Sequence, residues 1–320
     1  MLAKQHCYGS FSHPAIDRIR GSRVAVFEIR HRTVYRYARP VRFGEHRAMI
    51  RPRDSHDLRV LDAKLNLSPS GDVRWMHDVF SNSITLIRFH APASELVIES
   101  HVFAERFSSH TPVFPIREFA ETFPFTYSND QIPDLGRTNE SHYPDPERRI
   151  FTWVRRFLDG RRPPYPTMDL LVDIMNAIKQ QFRYETRHEE GTQTPLETLD
   201  RGIGTCRDYA LFMMEAVRSL GLAARFVTGY LYDPKIDGAG DGVSGAGATH
   251  AWVQIYLPGA GWVEFDPTNA IVGGTNLIRV GVARDPAQAL PLRGTYEGTV
   301  DDYLGIDVDV KVSSVNIAER

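Results

Sequence analysis

Apolar and polar residues alternate along the chain from Val24 to Tyr37. Ala25, Phe27, Ile29, Thr33, Tyr35 and Tyr37 fall on one face, and Glu28, Arg30, Arg32 and Arg36 on the other. A period of two with one apolar side is the pattern of a half-buried strand. Leu61, Ala63, Leu65 and Leu67 repeat it, and Pro69-Ser70-Gly71-Asp72 reads as a turn. Strand-like runs follow at 73–80, 84–89 and 96–104. Short strands separated by turns predict an antiparallel sheet or sandwich, here at residues 24–105. Arginine is dense between Arg23 and Arg53. The alternation already places these cations on a solvated sheet face; a surface for an acidic partner is the other reading.

The pattern then changes. Residues 106–147 carry six prolines and little periodicity, as a linker or wrapping segment would. Helical spacing appears at Ile150, Phe151, Val154, Phe157 and Leu158, stopped by Gly160. A second helix, capped by Thr167, carries Leu170, Leu171, Ile174, Met175 and Ile178. Thr194-Pro195 opens a short helical turn with proline in its favoured first position. A third helix follows Thr205, with one apolar stripe of Ala210, Leu211, Met214, Val217 and Leu220, and ends at Gly221. A strand is predicted at 224–231. The loop from Asp233 to Gly247 holds five glycines and reads either as a lid or as an idle surface loop.

From Thr249 to Leu257 His250, Trp252, Gln254 and Tyr256 alternate with Ala251, Val253, Ile255 and Leu257. After the turn Pro258-Gly259-Ala260-Gly261, the residues Trp262, Glu264 and Asp266 alternate with Val263 and Phe265. The two runs predict a hairpin with His250 on one strand and Asp266 on the other. A two-residue loop would put these side chains on opposite faces. A three-residue loop with Gly261 bulged would pair Leu257 with Gly261 and set Trp252 opposite Asp266, leaving His250 diagonal to Asp266 on the same face. Diagonal neighbours lie about 7–8 Å apart at the backbone, within reach of long side chains. The three-residue loop is therefore expected if His250 and Asp266 work together. Alternation at 277–282 and 306–312 predicts strands completing the second domain, with Asp301, Asp302, Asp307 and Asp309 on solvent faces.

A chain of 320 residues, 42% apolar and 24% charged, suits a globular protein of two domains. We divide it into a loose extension (1–23), an antiparallel β domain (24–105), the Pro-rich segment (106–147) and a catalytic region (148–320). A net charge of −2 argues against general nucleic-acid or membrane-surface binding. No apolar run approaches membrane-spanning length, and the first 22 residues lack the apolar core of a secretory signal. Cys7 and Cys206 are the two cysteines, so a disulfide framework is not expected and a reducing cytoplasm is the simplest location.

Cys206 is the chemically pointed residue. Thr205 is a suitable N-cap, and Asp208 completes an acidic capping pattern. Cys206 then occupies the first helical position, where free amides and the positive end of the helix dipole converge, a setting that favours a thiolate. A cysteine nucleophile needs a base, and the base needs an acceptor that fixes its tautomer. Cys206, His250 and Asp266 supply these in order, with the Cys206 amide as an oxyanion donor. Singly, each has an ordinary alternative: a small buried hydrophobe, a satisfied strand histidine, a turn at Asp266-Pro267-Thr268-Asn269. Jointly they favour catalysis. Zinc on Cys206 and His250 would need two further ligands that the spacing does not offer; no metal or cofactor is expected.

These segments resemble a known family. Residues 204–210, Leu220-Gly221-Leu222-Ala223-Ala224-Arg225, Thr249-His250-Ala251-Trp252-Val253 and residues 261–269 look like the transglutaminase-like superfamily, most closely its bacterial cysteine-protease branch. His31-Arg32-Thr33-Val34-Tyr35-Arg36-Tyr37 and Arg51-Pro52-Arg53 resemble that branch's β-rich leading region, and the tail at 279–294 is similar too. The resemblance implies an α+β, papain-like core with a Cys-His-Asp triad, mapped here onto Cys206, His250 and Asp266, behind an antiparallel β-sandwich-like domain. Two departures stand out. Arg207 replaces the glutamine that often follows the nucleophile; a cation there favours the thiolate or pairs with a carboxylate. Nothing matches the upstream tryptophan that gives animal transglutaminases a second oxyanion donor. Tyr184 is the substitute on offer, with a core tyrosine as its ordinary reading. Arg207, Asp208 and Trp252 complete the supporting set.

The expected activity is acyl transfer on amide or peptide bonds, resolved by water as in a peptidase or amidase. Transfer to a lysine amine, as in a transglutaminase, uses the same triad. A catalytically silent module whose β domain captures a peptide is the reading from another class. The expected partner in the first two cases is a peptide or protein amide.

Overall fold

The computed structural model describes residues 23–108, 114–160, 163–185, 191–233, 248–274 and 276–315. The extension with Cys7 and nearly all of the glycine-rich loop before Thr249 lie outside these residues. Six strands open the chain: β1 (Arg23–Phe43), β2 (His46–Ala48), β3 (Leu58–Ser68), β4 (Gly71–His77), β5 (Ser83–Phe89) and β6 (Ala93–Ser108). β1, β6 and β3 form one antiparallel sheet, and β2, β5 and β4 a second. Tyr37, Val41, Leu96 and Ile98 from the first pack against Ala48, Ile50, Ile87 and Phe89 from the second. The alternation in β1 explains its facing: Phe27, Ile29 and Tyr37 are buried, while Arg30, Arg32 and Arg36 are exposed.

The Pro-rich stretch wraps the second domain. It carries β7 (Thr122–Phe123) and α1 (Gln131–Leu135). The Arg117 amide donates to Pro258 O at 2.7 Å. Tyr127 Oη donates to Tyr256 O at 3.0 Å and accepts from the Ala223 amide at 2.9 Å. Gly259 in the hairpin turn has φ +92°, and a Cβ there would stand 2.4 Å from Pro115 O, so both conformation and contact demand glycine.

The rest of the chain gives α2 (Arg149–Arg155), β8 (Tyr165–Pro166), α3 (Thr167–Gln181), β9 (Arg183–Tyr184), α4 (Pro195–Arg201), β10 (Ile203–Gly204) and α5 (Cys206–Ser219). Then come β11 (Ala224–Leu231), β12 (His250–Leu257), β13 (Gly261–Asp266), β14 (Ile271–Val272) and β15 (Leu277–Ala283), in the spatial order β14-β13-β12-β11-β15. α5 touches β11 and β12 on one side and α2, α3 and α4 on the other. It is therefore buried around its whole girth: Phe212, Met213 and Ala216 are as deep as Ala210 and Leu211. The expected single stripe understates this, because helices cover the side that a lone amphipathic helix would show to water. Its last turns hold Glu215 and Arg218, an ion pair at 2.8 Å with both side chains buried. Arg218 also donates to Thr138 O, Ala224 O and Arg284 O, and Glu215 accepts the His142 amide, so the charges are satisfied. One cap expectation is corrected. Thr167 is the first helical residue of α3 rather than its cap; its hydroxyl donates to Ala120 O at 2.7 Å, fastening the wrapping segment.

The tail also departs from expectation. After β15 come β16 (Leu292–Arg293), β17 (Tyr296–Glu297) and β18 (Tyr303–Val315). β16 pairs with β2, and β17 and β18 pair with β1, so these strands complete the leading domain, not the second one. Alternation identifies a strand without naming its partner. Charge helps to select it here: Arg32 sits opposite Asp309, Arg36 pairs with Asp307, and Arg39 Nε meets Asp302 at 2.7 Å. Asp301, Asp307 and Asp309 are exposed as expected, while Asp302 is buried beneath Arg39.

Buried polar links join the domains, among them those of Tyr230 and Asn82. Tyr230 on β11 donates to Ile50 O at 2.7 Å and accepts from His31 Nδ1 at 3.0 Å, while Thr33 Oγ1 lies 3.1 Å from Nε2. Burial pulls the His31 pKa down to about 4, only partly opposed by Asp309, so the ring is neutral at pH 7. Asn82 bonds both the amide and the carbonyl of Val282, at 2.9 and 2.7 Å. Among the described residues no helix is long and apolar enough to cross a membrane.

A candidate active site at the tip of the central helix

Backbone constraints place Cys206. Gly204 pairs with Tyr184 in the parallel bridge between β10 and β9. A Cβ at Gly204 would lie 2.9 Å from Asp208 Cβ and 3.2 Å from the Tyr209 ring, so only glycine lets the chain turn this closely into α5. Asp208 Oδ2 accepts from the Thr205 amide at 2.7 Å and from Thr205 Oγ1 at 2.9 Å. Helix geometry leaves the first-turn amides, including that of Cys206, without intrahelical acceptors, and this capping pattern fixes where the helix starts. Asp208 is fully buried and also takes the Gln193 amide at 2.7 Å and Gln193 Nε2 at 3.1 Å. Its role is to brace the loop before α4 against the Cys206 turn.

Hairpin register places the other two groups. Leu257 pairs with Gly261 across a three-residue loop, and Gly261 has φ +76°. The pairing of Val253 with Phe265 sets Trp252 opposite Asp266 and His250 diagonal to it. The His250 ring closes the gap: its Nε2 donates to Asp266 Oδ2 at 2.9 Å. Asp266 Oδ1 accepts the Thr268 amide at 2.9 Å and the Asn269 amide at 3.3 Å; Oδ2 also takes Asn269 Nδ2 at 2.9 Å. The turn at 266–269 and the orienting carboxylate are thus one structure, not alternatives.

The electrostatics follow. His250 and Asp266 are fully buried, while Cys206 keeps 6% of its surface. Burial alone would discharge the imidazole, but Asp266 and the Cys206 sulfur outweigh it and hold the His250 pKa up at about 10. Burial would likewise raise the Asp266 pKa; His250, Asn269 and the Thr268 amide reverse that and lower it. His250 Nδ1 is buried and forms no hydrogen bond, yet the sulfur is near enough to raise the ring's proton affinity. Loose nucleophile–base contacts are common before a substrate tightens them.

The supporting residues divide. Tyr184 stands beside the sulfur: burial first, then negative charge at Cys206 and Asp266, push its hydroxyl pKa well up, so it stays a donor. Arg207 feels the charge of the Cys206 sulfur, but its donors are spent elsewhere. It donates to Pro286 O at 2.8 Å, Ala289 O at 3.4 Å and Thr192 Oγ1 at 3.3 Å, and lies 4.9 Å over the Phe226 ring. It makes no ion pair among the described residues and acts as a tie between α5 and the 286–289 turn. Trp252 lies nearly parallel to His250, with centroids 6.0 Å apart. Gly229 makes room for it: a Cβ there would be 2.6 Å from Trp252 Cη2 and 2.3 Å from Ile278 O. Gly229→Ala should destabilise the fold by about 1–3 kcal/mol, read as a lower urea midpoint with unchanged m-value; a midpoint equal to wild type would show that the indole is free to move. Sequence reasoning missed Gln193 and Asn269. Asn269 was within reach, three residues after Asp266 in a turn motif. Gln193 was not, since only folding brings it to Asp208. Among the described residues no group of three or more His, Cys, Asp or Glu could hold a metal ion.

Comparison with known proteins bears on the fold that carries these residues. Residues 27–105 match the bacterial transglutaminase-like N-terminal region, and residues 140–267 match the transglutaminase-like superfamily. An uncharacterized protein of Mycobacterium tuberculosis (strain ATCC 25618 / H37Rv) is 27% identical over 299 residues, which is 89% of this chain and 92% of that one. An uncharacterized protein of Mycobacterium leprae (strain TN) is 26% identical over 297 residues, 88% and 96% of the two chains. In three dimensions the chain is similar to a candidate cysteine protease from Cytophaga hutchinsonii, with TM-score 0.66, 16% identity and 92% of each chain covered. That likeness speaks for the fold. The two matched regions identify a transglutaminase-like core at 140–267 behind a bacterial transglutaminase-like N-terminal region at 27–105, and the structural likeness supports a papain-like α+β fold for that core.

Proposed function

We propose that the chain is an acyl-transfer enzyme that cleaves amide or peptide bonds through Cys206, His250 and Asp266. The observation that carries this reading is the His250 ring, bonded through Nε2 to Asp266 and leaving Nδ1 open beside the only free cysteine among the described residues. The Cys206 thiolate attacks the amide carbonyl carbon. The oxyanion is met by the Cys206 amide and the Tyr184 hydroxyl. His250 Nδ1–H protonates the departing amine, leaving a thioester on Cys206. A water then gives its proton to Nδ1, attacks the thioester, and releases the acid and the thiolate.

The substrate class is a peptide or protein amide, and water is the acceptor. Incubating the protein with a mixed peptide pool and reading the products by mass spectrometry tests this: new termini or deamidated side chains are expected. Glutamine–lysine cross-links instead would make the acceptor an amine and the enzyme a transglutaminase. Iodoacetamide at pH 6 should alkylate Cys206 faster than a model thiol; an equal rate, with no product in the pool, would leave only a peptide-binding role. Tyr184→Phe should lower kcat by about 10²-fold with little change in KM, as loss of one oxyanion donor does. An unchanged kcat would return Tyr184 to the core.

A further inference from the structure

A cleft of about 550 Å³ opens where the leading β domain meets the second sheet, and Cys206, His250 and Asp266 take no part in its lining. Its walls carry four arginines, Arg53, Arg106, Arg225 and Arg279, against two carboxylates, Asp57 and Glu264. Those residues come from strands and loops far apart in the chain.

Part of this charge is internally balanced. Arg106 meets Asp57 at 3.5 Å and Glu264 at 3.8 Å; Arg279 meets Glu264 at 3.2 Å and Asp57 at 3.7 Å. Two cations and two anions close on each other, and the network accounts for the junction between the domains. Arg225 and Arg53 remain. Arg225 donates Nε to Gln254 Oε1 at 2.7 Å and lies 4.1 Å over the Trp262 ring, but among the described residues no carboxylate pairs with it. Burial first, then the positive charge of Arg279, pull its pKa down to about 9, and Arg53 adds to the effect against a single opposing pull from Glu264. Arg53 stands at the exposed mouth and spends one donor on Ser81 O at 2.8 Å. Arg106 is 7% exposed, and its Nε is buried without a partner. Packing does not require half-buried Arg225 or exposed Arg53 to stand without an anion, and a partly desolvated guanidinium is costly unless one meets it.

We propose that this cleft binds an oxyanion, the phosphate or carboxylate of a small organic ligand, held between Arg225 and Arg53. A planar, fixed fork of donors suits such a group, and two unneutralised guanidinium groups supply the charge. Gln254 and Trp262 hold the Arg225 fork in place, so the site is formed before the ligand arrives. The reading is independent of the triad, since no lining residue belongs to it.

Calorimetric titration of the whole protein at low salt tests the proposal, with inorganic phosphate and, separately, succinate. At least one should bind saturably at one site per chain, and Arg53→Gln and Arg225→Met should each weaken it by about tenfold or more. The tighter of the two anions identifies the source, phosphate or carboxylate. Arg53 is exposed, so Arg53→Gln keeps the test valid should Arg225→Met fail to fold. Absence of saturable binding by both anions, or binding of equal strength in Arg53→Gln, overturns the assignment.

Discussion

Replacing Cys206 by alanine should remove on the order of 10⁴–10⁶ of the turnover on an amide substrate, the size of effect seen when a covalent nucleophile is lost. The fold should survive. The side chain is small and keeps 6% of its surface, and the α5 N-terminus is held by Asp208, Thr205 and Gln193, none of which touches the sulfur through a hydrogen bond. The comparison to make is single-turnover hydrolysis beside a thermal melt of the same preparation. Activity within tenfold of wild type would place the nucleophile elsewhere and end the triad reading. Loss of activity together with loss of the melt would say nothing about chemistry, so Cys206→Ser, with nearly the same volume, is the companion variant. It should melt like wild type and be almost as inactive, because a hydroxyl beside an imidazolium is a far weaker nucleophile than a thiolate.

Asp266→Asn should have the next largest effect, and it should show in both rate and stability. The carboxylate accepts His250 Nε2–H, two amides and Asn269 Nδ2. An asparagine must turn an NH₂ toward some of these donors. The ring then loses the acceptor that fixes its tautomer, and turnover should fall by about 10³–10⁴. Stability should fall by about 3 kcal/mol where the ion pair is intact, because a buried partner is left uncompensated. The pH dependence has a definite sign. The His250 pKa is raised from 6.5 to about 10, so its contribution is complete below 6.5 and is lost as pH climbs through 10. The Asp266 pKa is lowered from 3.8, so its contribution is present above 3.8 and is lost as pH drops through the lower folded value. The gap between wild type and variant should therefore be widest near pH 5–6 and shrink toward pH 10, as urea midpoints across that range would reveal. A gap that widens steadily toward pH 10 would contradict the imidazolium–carboxylate pair.

Much of the site was legible in the chain because it depends on local rules. A capping pattern and a helix start fix where Cys206 points. Alternation identifies the hairpin but leaves two registers open; the three-residue loop follows only if His250 and Asp266 work together, and Gly261 at φ +76° makes that loop. What stayed hidden depends on long-range pairing. Gln193 reaches Asp208 only after β9 and β10 zip together. The full burial of α5 follows from three other helices covering it. Arg207 could have met a carboxylate on sequence grounds; the 286–289 turn instead offers it carbonyls. The arginines of the interdomain cleft sit on segments that sequence spacing does not relate.

The pairing of β18 with β1 has a consequence for biosynthesis. The leading sheet exposes one edge of a 21-residue strand until its partner, Tyr303–Val315, far downstream in the chain, has been made. Throughout elongation that edge is an open template for other nascent chains. A chain that stops short of Tyr303 would therefore be prone to stick to its neighbours, even with Cys206, His250 and Asp266 already made.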